Sequence, residues 1–214
     1  MAEHAVDGIV VDTAPLYCEG LVQALRSALR ADVRAFTRPV EALQFLREQC
    51  RDLAVIGPDV EEAESLALCR AFMRQCPTIK TVLVSREAED PVFQSDALRA
   101  GANACLPPEI DVNRYVEVVT AVLAGHQLFS RAAIILAQEP VMLTAREREV
   151  LLRLAEHKTD AEIASELGLS VATIRKQSHG IIKKLNVHER REALRRARRL
   201  GWLPPPAGPQ LPVT

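Results

Sequence analysis

The first half of the chain alternates short aliphatic runs with longer segments in which apolar residues recur every three or four positions. Short apolar runs predict buried strands, and the longer periodic segments predict amphipathic helices. The predicted strands are Gly8–Val11, Val33–Phe36, Leu53–Ile56, Ile79–Val84 and Ala104–Leu106; the predicted helices are Pro15–Leu29, Pro39–Gln49, Val60–Gln75, Pro91–Arg99 and Val112–Leu123. Strict alternation predicts an α/β fold, a doubly wound five-stranded parallel sheet with its functional site at the carboxyl ends of the strands.

From residue 143 onward the pattern is helical only. Thr144 with Glu147, and Thr159 with Glu162, have the spacing of capping boxes, and Ser170 can cap a further helix. Apolar spacing then predicts an all-α region with four helices, near 145–157, 160–167, 171–185 and 189–200.

The second and third of these helices are separated by three residues only, Gly168, Leu169 and Ser170. A link this short forces a sharp crossing, and glycine can adopt the left-handed backbone that ends a helix. The pattern predicts a helix-turn-helix, whose second helix enters a DNA major groove with its amino end first.

These patterns predict four parts of the chain. They are an α/β domain (1–125), a linker with a short helix (126–142), a helix-turn-helix domain (143–203) and an extended Pro-rich tail (204–214).

Charge divides the chain in the same way. Residues 1–140 carry a net charge of −7 and residues 141–214 a net charge of +6, so the overall −1 conceals a basic rear half. An acidic front half and a basic rear half favour a sensing or interaction domain followed by a nucleic-acid-binding domain.

The remaining composition points to no metal, cofactor or membrane. The five cysteines form no CxxC pair and lie in apolar stretches, which predicts buried free thiols in a reducing cytoplasm. Histidines are scattered, and no catalytic constellation or Gly-rich phosphate loop is present, so no enzymatic activity is predicted. No signal peptide and no run of 18 apolar residues is found, so we expect a cytoplasmic protein.

The rear segment resembles the LuxR/NarL/FixJ helix-turn-helix of bacterial transcription regulators. The matching pieces are LTAREREVL, EIASELGLS, TIRK, IIKKLNV and A-x-x-x-A-x-x-x-G-W-L, in the family's order over about 60 residues. The chain departs from the family at His157 (usually Gly), Ala161 (usually Lys) and Gln177 (usually His). It also has Gly180 within the third helix, where Gly is unfavourable by about 1 kcal/mol relative to Ala.

The resemblance implies which residues face DNA. The base-edge positions are Arg175, Lys176 and His179, and the positions better placed for phosphates are Ser170, Thr173, Lys183 and Lys184. An arginine can make a bidentate contact with guanine, whereas lysine contacts with phosphates add affinity without sequence information.

In this family the fourth helix is a dimer contact, which would use the apolar stripe Ala193, Leu194, Ala197 and Leu200. The alternative is that the stripe packs within one subunit and leaves an arginine face in solvent.

The front half resembles the receiver domain of response regulators, through VDTAPLYCEGL, Ser85 and GANACLPPE. The family's site has two acidic residues for Mg²⁺, an Asp that accepts phosphate, a Ser or Thr that senses it and a Lys. The corresponding positions here are Asp12, Thr13, Gly57, Ser85 and Pro108, so the acceptor, the Lys and one metal ligand are missing.

Two points about the receiver stay open. Asp59 lies two residues beyond the acceptor position and is a weak candidate to replace it. Pairing of receivers is expected either through the first and fifth helices or through the strand-four to strand-five face, which carries Asp96, Arg99 and Asn103.

The sequence therefore predicts a dimeric DNA-binding transcription regulator, an atypical response regulator that works without aspartyl phosphorylation. A small ligand or a partner protein at the degenerate receiver would bias the dimer instead of phosphate. The alternative is a protein-interaction regulator that sequesters a partner through its receiver and retains only vestigial DNA binding.

Overall fold

The computed structural model describes residues 6–204, and these form two compact units divided between Glu139 and Pro140. The predicted tail lies outside the described residues except for Pro204. The front unit contains β1 (Asp7–Val11), α1 (Pro15–Leu29), β2 (Asp32–Phe36), α2 (Pro39–Glu48), β3 (Leu53–Ile56), α3 (Glu62–Gln75), β4 (Lys80–Val84), α4 (Pro91–Ala100), β5 (Ala104–Leu106), α5 (Val112–Leu123) and α6 (Arg131–Gln138). The rear unit contains α7 (Ala145–Ala155), α8 (Asp160–Leu167), α9 (Val171–Lys184) and α10 (Arg190–Arg199).

The sheet of the front unit has the strand order β2-β1-β3-β4-β5, and every pairing is parallel. The predicted doubly wound parallel sheet is confirmed. Because β1 and β3 lie side by side at its centre, the loops that follow them meet at the carboxyl edge of the sheet.

Aliphatic side chains cover both faces of the sheet. Along β1, Ile9 and Val11 join a core beneath α2, α3 and α4, whereas Val10 joins a core beneath α1 and α5. Successive side chains of a strand point to opposite faces, so one short apolar run contributes to two cores. This is why β3 is buried at all four of its positions.

The segment predicted as a linker, 126–142, lies partly within the front unit, where α6 packs against α4. Arg99 of α4 donates hydrogen bonds to the carbonyls of Leu136, Ala137 and Glu139, which end α6. Carbonyls at a helix end have few partners within the helix, and among the described residues only that of Leu136 here also accepts from a backbone N–H, that of Glu139. An arginine beside these carbonyls therefore stabilises the helix end. α6 is thus held by α4 rather than left as a free connection.

Asp96, Arg99 and Asn103, proposed from sequence as part of a pairing face, are occupied inside the front unit. Asp96 is buried and forms an ion pair with Arg99, and the Asn103 side chain accepts a hydrogen bond from the Thr81 N–H. Side chains already engaged in this way contribute little to a second protein surface.

The rear unit is a four-helix domain around an aliphatic core, and its local signals behave as predicted. Both capping boxes are formed, at Thr144 with Glu147 and at Thr159 with Glu162. Gly168 ends α8 with a left-handed φ of 63°, which permits the sharp turn into α9.

The cysteine prediction is wrong for one pair. Cys50 and Cys76 are joined as a disulfide, whereas Cys18, Cys69 and Cys105 are free thiols. Cys50 follows α2 and Cys76 ends α3. These two helices cover the same face of the sheet and both end at its amino edge, which brings the two Cα atoms to 5.5 Å. Sequence spacing contains no sign of this proximity.

Among residues 6–204, no helix is both long enough and apolar enough to span a bilayer. The same residues contain no group of three or more His, Cys, Asp or Glu side chains arranged to hold a metal ion.

Candidate nucleic-acid interface and receiver site

The amino end of α9 is fixed by a side-chain cap. The Ser170 hydroxyl accepts a hydrogen bond from the Thr173 N–H at 3.1 Å and lies 2.8 Å from the Thr173 hydroxyl. Ile174 and Ile181 bury one side of the helix in the core of the rear unit. The opposite side is therefore held outward, as a recognition helix requires.

All three predicted base-contact residues lie on that outward side. Arg175, Lys176 and His179 are exposed, and the Arg175 side chain keeps 74% of its surface accessible. Its Nε lies 3.7 Å from a carboxylate oxygen of Asp160, the first residue of α8. Sequence reasoning missed Asp160, whose only local signal is an acidic residue in the first turn of a helix.

The predicted phosphate-contact residues do not share one environment. Lys183 is exposed and has no ion pair among the described residues. The ammonium of Lys184 instead lies 2.7 Å from the Glu147 carboxylate of α7, the same group that closes the capping box. Lys184 therefore links α9 to α7, and its charge is partly neutralised before any DNA arrives.

The departures from the family pattern leave α9 intact. The helix continues without a break through Gly180, and a methyl group added there would meet only a Glu147 carboxylate oxygen at 3.6 Å, an ordinary contact. His157 adopts a left-handed φ of 61°, a conformation that favours glycine and accounts for the glycine usual there.

The structure does not support the assignment of Ala193, Leu194, Ala197 and Leu200 as a dimer stripe. Ala193, Leu194 and Ala197 are buried in the core of their own unit, and Leu200 packs against that core. An apolar residue already removed from water has no further surface to offer a second subunit. These residues instead pack within one subunit, which is the alternative given in the sequence analysis.

At the carboxyl edge of the sheet, Asp12 is completely buried. Its two carboxylate oxygens accept hydrogen bonds from the backbone N–H of Ala14, at 2.6 Å, and of Asp59, at 3.2 Å. Burial raises the pKa of the Asp12 carboxyl, although the two N–H donors oppose the rise. Asp12 therefore ties the loops after β1 and β3 together.

The missing side chain at Gly57 makes room for this arrangement. A Cβ added to Gly57 would lie 1.9 Å from the Asp12 carboxylate and 2.7 Å from its Cβ. The Asp12 side chain thus fills the space into which an acceptor side chain at position 57 would project.

The other receiver positions form hydrogen bonds with neighbouring loop and helix residues. The Thr13 hydroxyl donates to the Asp59 carbonyl, the Ser85 hydroxyl accepts from the Glu87 N–H, and the Pro108 carbonyl accepts from the Tyr17 hydroxyl. The Arg86 guanidinium, which sequence reasoning missed, lies 3.6 Å from the Asp59 carboxylate. Mg²⁺ requires several oxygen ligands. This edge lacks two of them, because Thr13 stands at the position of the second acidic residue and Gly57 at the position of the acceptor carboxylate. The residues present do not fit the metal.

Together, a receiver-type sheet and a basic, side-chain-capped helix-turn-helix define a DNA-binding regulator of transcription. Residues 141–197 match the family "Bacterial regulatory proteins, luxR family". Among known proteins, the chain is 29% identical to the probable transcriptional regulatory protein NarL of Mycobacterium tuberculosis over 206 residues, covering 89% of this chain and 93% of that protein. It is 28% identical to the transcriptional regulatory protein DesR of Bacillus subtilis over 163 residues, covering 76% and 80%.

Solved structures agree in fold. RcsB in complex with DNA superposes with a TM-score of 0.73 at 18% identity, over 92% of this chain and all of that chain. RcsB of Salmonella enterica serovar Typhimurium bound to promoter P1flhDC superposes with a TM-score of 0.75 at 18% identity, with the same coverage. Residues 141–197 of the rear unit match the LuxR-family helix-turn-helix, and the chain, similar over most of its length to NarL and DesR, is a DNA-binding transcriptional response regulator.

We predict that Gly57→Ala destabilises the front unit by roughly 1–3 kcal/mol, because the new methyl group must displace the buried Asp12 side chain. Gly20→Ala is the matched control, since nothing lies within 4 Å of its added Cβ and alanine is the better helix former. Urea unfolding of each variant gives the comparison. A Gly57→Ala variant as stable as Gly20→Ala would contradict the packing described here.

A second prediction concerns Glu147. Burial raises the pKa of its carboxyl, but the hydrogen bonds from Lys184 and Thr144 outweigh burial and hold the pKa below its usual 4.5. Glu147→Gln should therefore cost about 1 kcal/mol of unfolding free energy at neutral pH. A lowered pKa contributes stability that is complete above pH 4.5 and is lost as the pH falls through the folded-state value.

The measurement is the unfolding free energy of wild type and variant between pH 7 and pH 3. The control is Glu149→Gln, which removes an exposed carboxylate of the same helix whose one ion pair among residues 6–204 is with Arg146. An equal cost of Glu147→Gln at pH 7 and pH 3 would show that the carboxylate charge is not what stabilises this contact.

Proposed function

We propose that the protein regulates transcription by binding DNA as a dimer, and that this activity does not depend on aspartyl phosphorylation. A small ligand or a partner protein acting on the front unit takes the place of the phosphoryl signal. The observation that carries the proposal is the Asp12 carboxylate in the space beside Gly57.

Phosphoryl transfer to a carboxylate concentrates negative charge, which a metal and a cation must offset. Here the acceptor position is glycine and the position of the cation is Pro108. Asp59, the remaining candidate acceptor, has its carboxylate beside Arg86 and its backbone N–H bound to Asp12. These contacts support a receiver whose loops are already held together without phosphate.

On the DNA side, we propose that Arg175, Lys176 and His179 face base edges. Ser170, Thr173 and Lys183 then lie toward phosphates, and Lys184 contributes less because Glu147 already holds it. The outward position of the first three residues and the capped amino end of α9 support this assignment. A helix amino end also carries partial positive charge, which favours a nearby phosphate.

For the dimer, we favour the surface of α1 and α5 over the β4–β5 face. Leu16 and Val112, at the amino ends of these two adjacent helices, leave 88% and 61% of their surface exposed. Asp96, Arg99 and Asn103 on the other face are occupied by internal contacts. RcsB is described as binding DNA as dimers, and the proposal extends that arrangement to this chain.

The test is binding of the purified full-length protein to genomic DNA fragments, with and without acetyl phosphate and Mg²⁺. We expect selective binding with the same affinity under both conditions, and the same result for Asp59→Asn. Binding that requires the phosphodonor and is lost in Asp59→Asn would overturn phosphate independence. Loss of selective binding under both conditions would favour the interaction regulator.

A further prediction concerns the recognition helix. Arg175→Ala should weaken binding to a selected target by roughly 1–3 kcal/mol and relax the preference at one base pair, because a bidentate contact is lost. The control is Arg114→Ala, which removes one exposed positive charge from the front unit. Competition among single-base variants of the target gives both quantities. Wild-type affinity and selectivity in Arg175→Ala would exclude it as a base contact.

A further inference from the structure

Arg196 lies in the middle of α10, yet it is only 1% exposed and is the largest fully buried side chain among the described residues. Its guanidinium donates a hydrogen bond to the carbonyl of Leu185, the residue that ends α9. The last carbonyls of a helix have no partner within the helix and carry partial negative charge. A buried guanidinium at this place both satisfies the carbonyl and fixes where the recognition helix ends.

Arg190, at the start of α10, contacts the beginning of α8. It donates to the carbonyl of Lys158 at 2.6 Å, and its guanidinium lies 3.5 Å from the Asp160 carboxylate. The other oxygen of Asp160 is the one that lies 3.7 Å from Arg175 Nε. Asp160 is thus held between an anchored arginine and the arginine proposed to read DNA.

Asp160 approaches Nε of Arg175, which bears on how the guanidinium could meet a base. Guanine is recognised through its O6 and N7 by two parallel donors, which the terminal nitrogens of an arginine supply. The Asp160 carboxylate lies beside Nε and not across the two terminal nitrogens, so the pair of donors that guanine requires is not covered by it. The same carboxylate placed across the terminal nitrogens would instead block the base.

We propose that Arg190 and Arg196 are positioning residues for DNA recognition: Arg196 fixes the carboxyl end of α9, and Arg190, through Asp160, orients the Arg175 guanidinium toward a base. The proposal has two parts. The part that concerns Arg190 and Asp160, called the Asp160 arm, rests on the proposed role of Arg175. The part that concerns Arg196, called the Arg196 arm, requires only that α9 is the recognition helix. In neither case does the α10 arginine act by contacting phosphate.

The Arg196 arm is tested with Arg196→Gln and Arg196→Lys in the full-length protein. Arg195→Gln is the matched control, because it removes the same charge from an exposed neighbouring position of α10. For each folded variant, verified by circular dichroism, we measure the ratio of specific to non-specific DNA affinity and its dependence on salt. The salt dependence distinguishes a positioning residue from a phosphate contact, because losing one phosphate contact lowers the slope of log affinity against log salt concentration by about one.

We expect Arg196→Gln to lower the specific-to-non-specific ratio on the order of tenfold with an unchanged salt slope, and Arg196→Lys to fall between it and wild type. Arg195→Gln should leave the ratio unchanged. A lower salt slope in Arg196→Gln, or an unchanged ratio, would overturn the proposal. If Arg196→Gln does not fold, Arg196→Lys decides in its place: a lowered ratio supports the proposal, and a wild-type ratio overturns it.

The Asp160 arm is tested by a double-mutant cycle of Asp160→Asn with Arg175→Ala, read as selectivity at each base pair of the target. Glu166→Gln is the control, because it removes an acidic charge from the same helix without a link to Arg175. We expect Asp160→Asn to relax the same base pair as Arg175→Ala, by roughly fivefold or more, and the double variant to add nothing further.

An Asp160→Asn variant that binds all sequences more tightly with unchanged selectivity would show simple charge repulsion and overturn this arm. If Arg175→Ala itself leaves every base preference unchanged, the proposed base contact fails and this arm fails with it. The Arg196 arm would still be decided by its own variants.

Discussion

The ends of short helices are the constraint on which the rear unit depends. Every helix leaves four N–H groups at its start and four carbonyls at its end without internal partners, and α8 has only eight residues. Two capping boxes and Ser170 satisfy the starts of α7, α8 and α9. Arginines donate hydrogen bonds to carbonyls at two of the carboxyl ends. Arg146 donates to the Leu167 carbonyl at the end of α8, and Arg196 donates to the Leu185 carbonyl at the end of α9.

In the front unit the corresponding constraint is the meeting of loops at the carboxyl edge of a parallel sheet. Buried N–H groups in such loops need acceptors. Asp12 supplies two, and it can do so in this position because residue 57 has no side chain. Position 57 is therefore a matter of packing, because any Cβ placed there would meet the Asp12 side chain.

Features that depend on neighbouring residues were predictable from sequence, and features that depend on distant contacts were not. Capping boxes, the Gly168 turn and strand periodicity act over a few residues, and the predicted elements and fold class agree with the structure. The Cys50–Cys76 disulfide joins residues 26 positions apart. Nothing in the sequence distinguishes Arg196 from the other arginines of α10, and arginine is seldom buried; only the packing of this helix shows the carbonyl that makes its burial favourable.

The apolar stripe of α10 is a second feature whose partner the sequence pattern does not determine. An amphipathic helix must bury its apolar side, but the pattern does not say whether the surface that covers it belongs to the same subunit. Here Ala193, Leu194 and Ala197 are covered within the rear unit. The dimer proposal consequently rests on exposed residues of α1 and α5, a surface that the receiver resemblance offers as one of two alternatives.

Counting basic residues therefore overestimates the positive charge available to DNA. The rear half carries 14 Lys and Arg, but Arg146, Arg190, Arg196 and Lys184 are used to hold helices together. Exposed Arg175, Lys176 and Lys183 remain on one side of α9, where a cation can meet a base or a phosphate. Under the proposed function, specificity depends on these few side chains, and the cations that hold the helices contribute by placing them accurately.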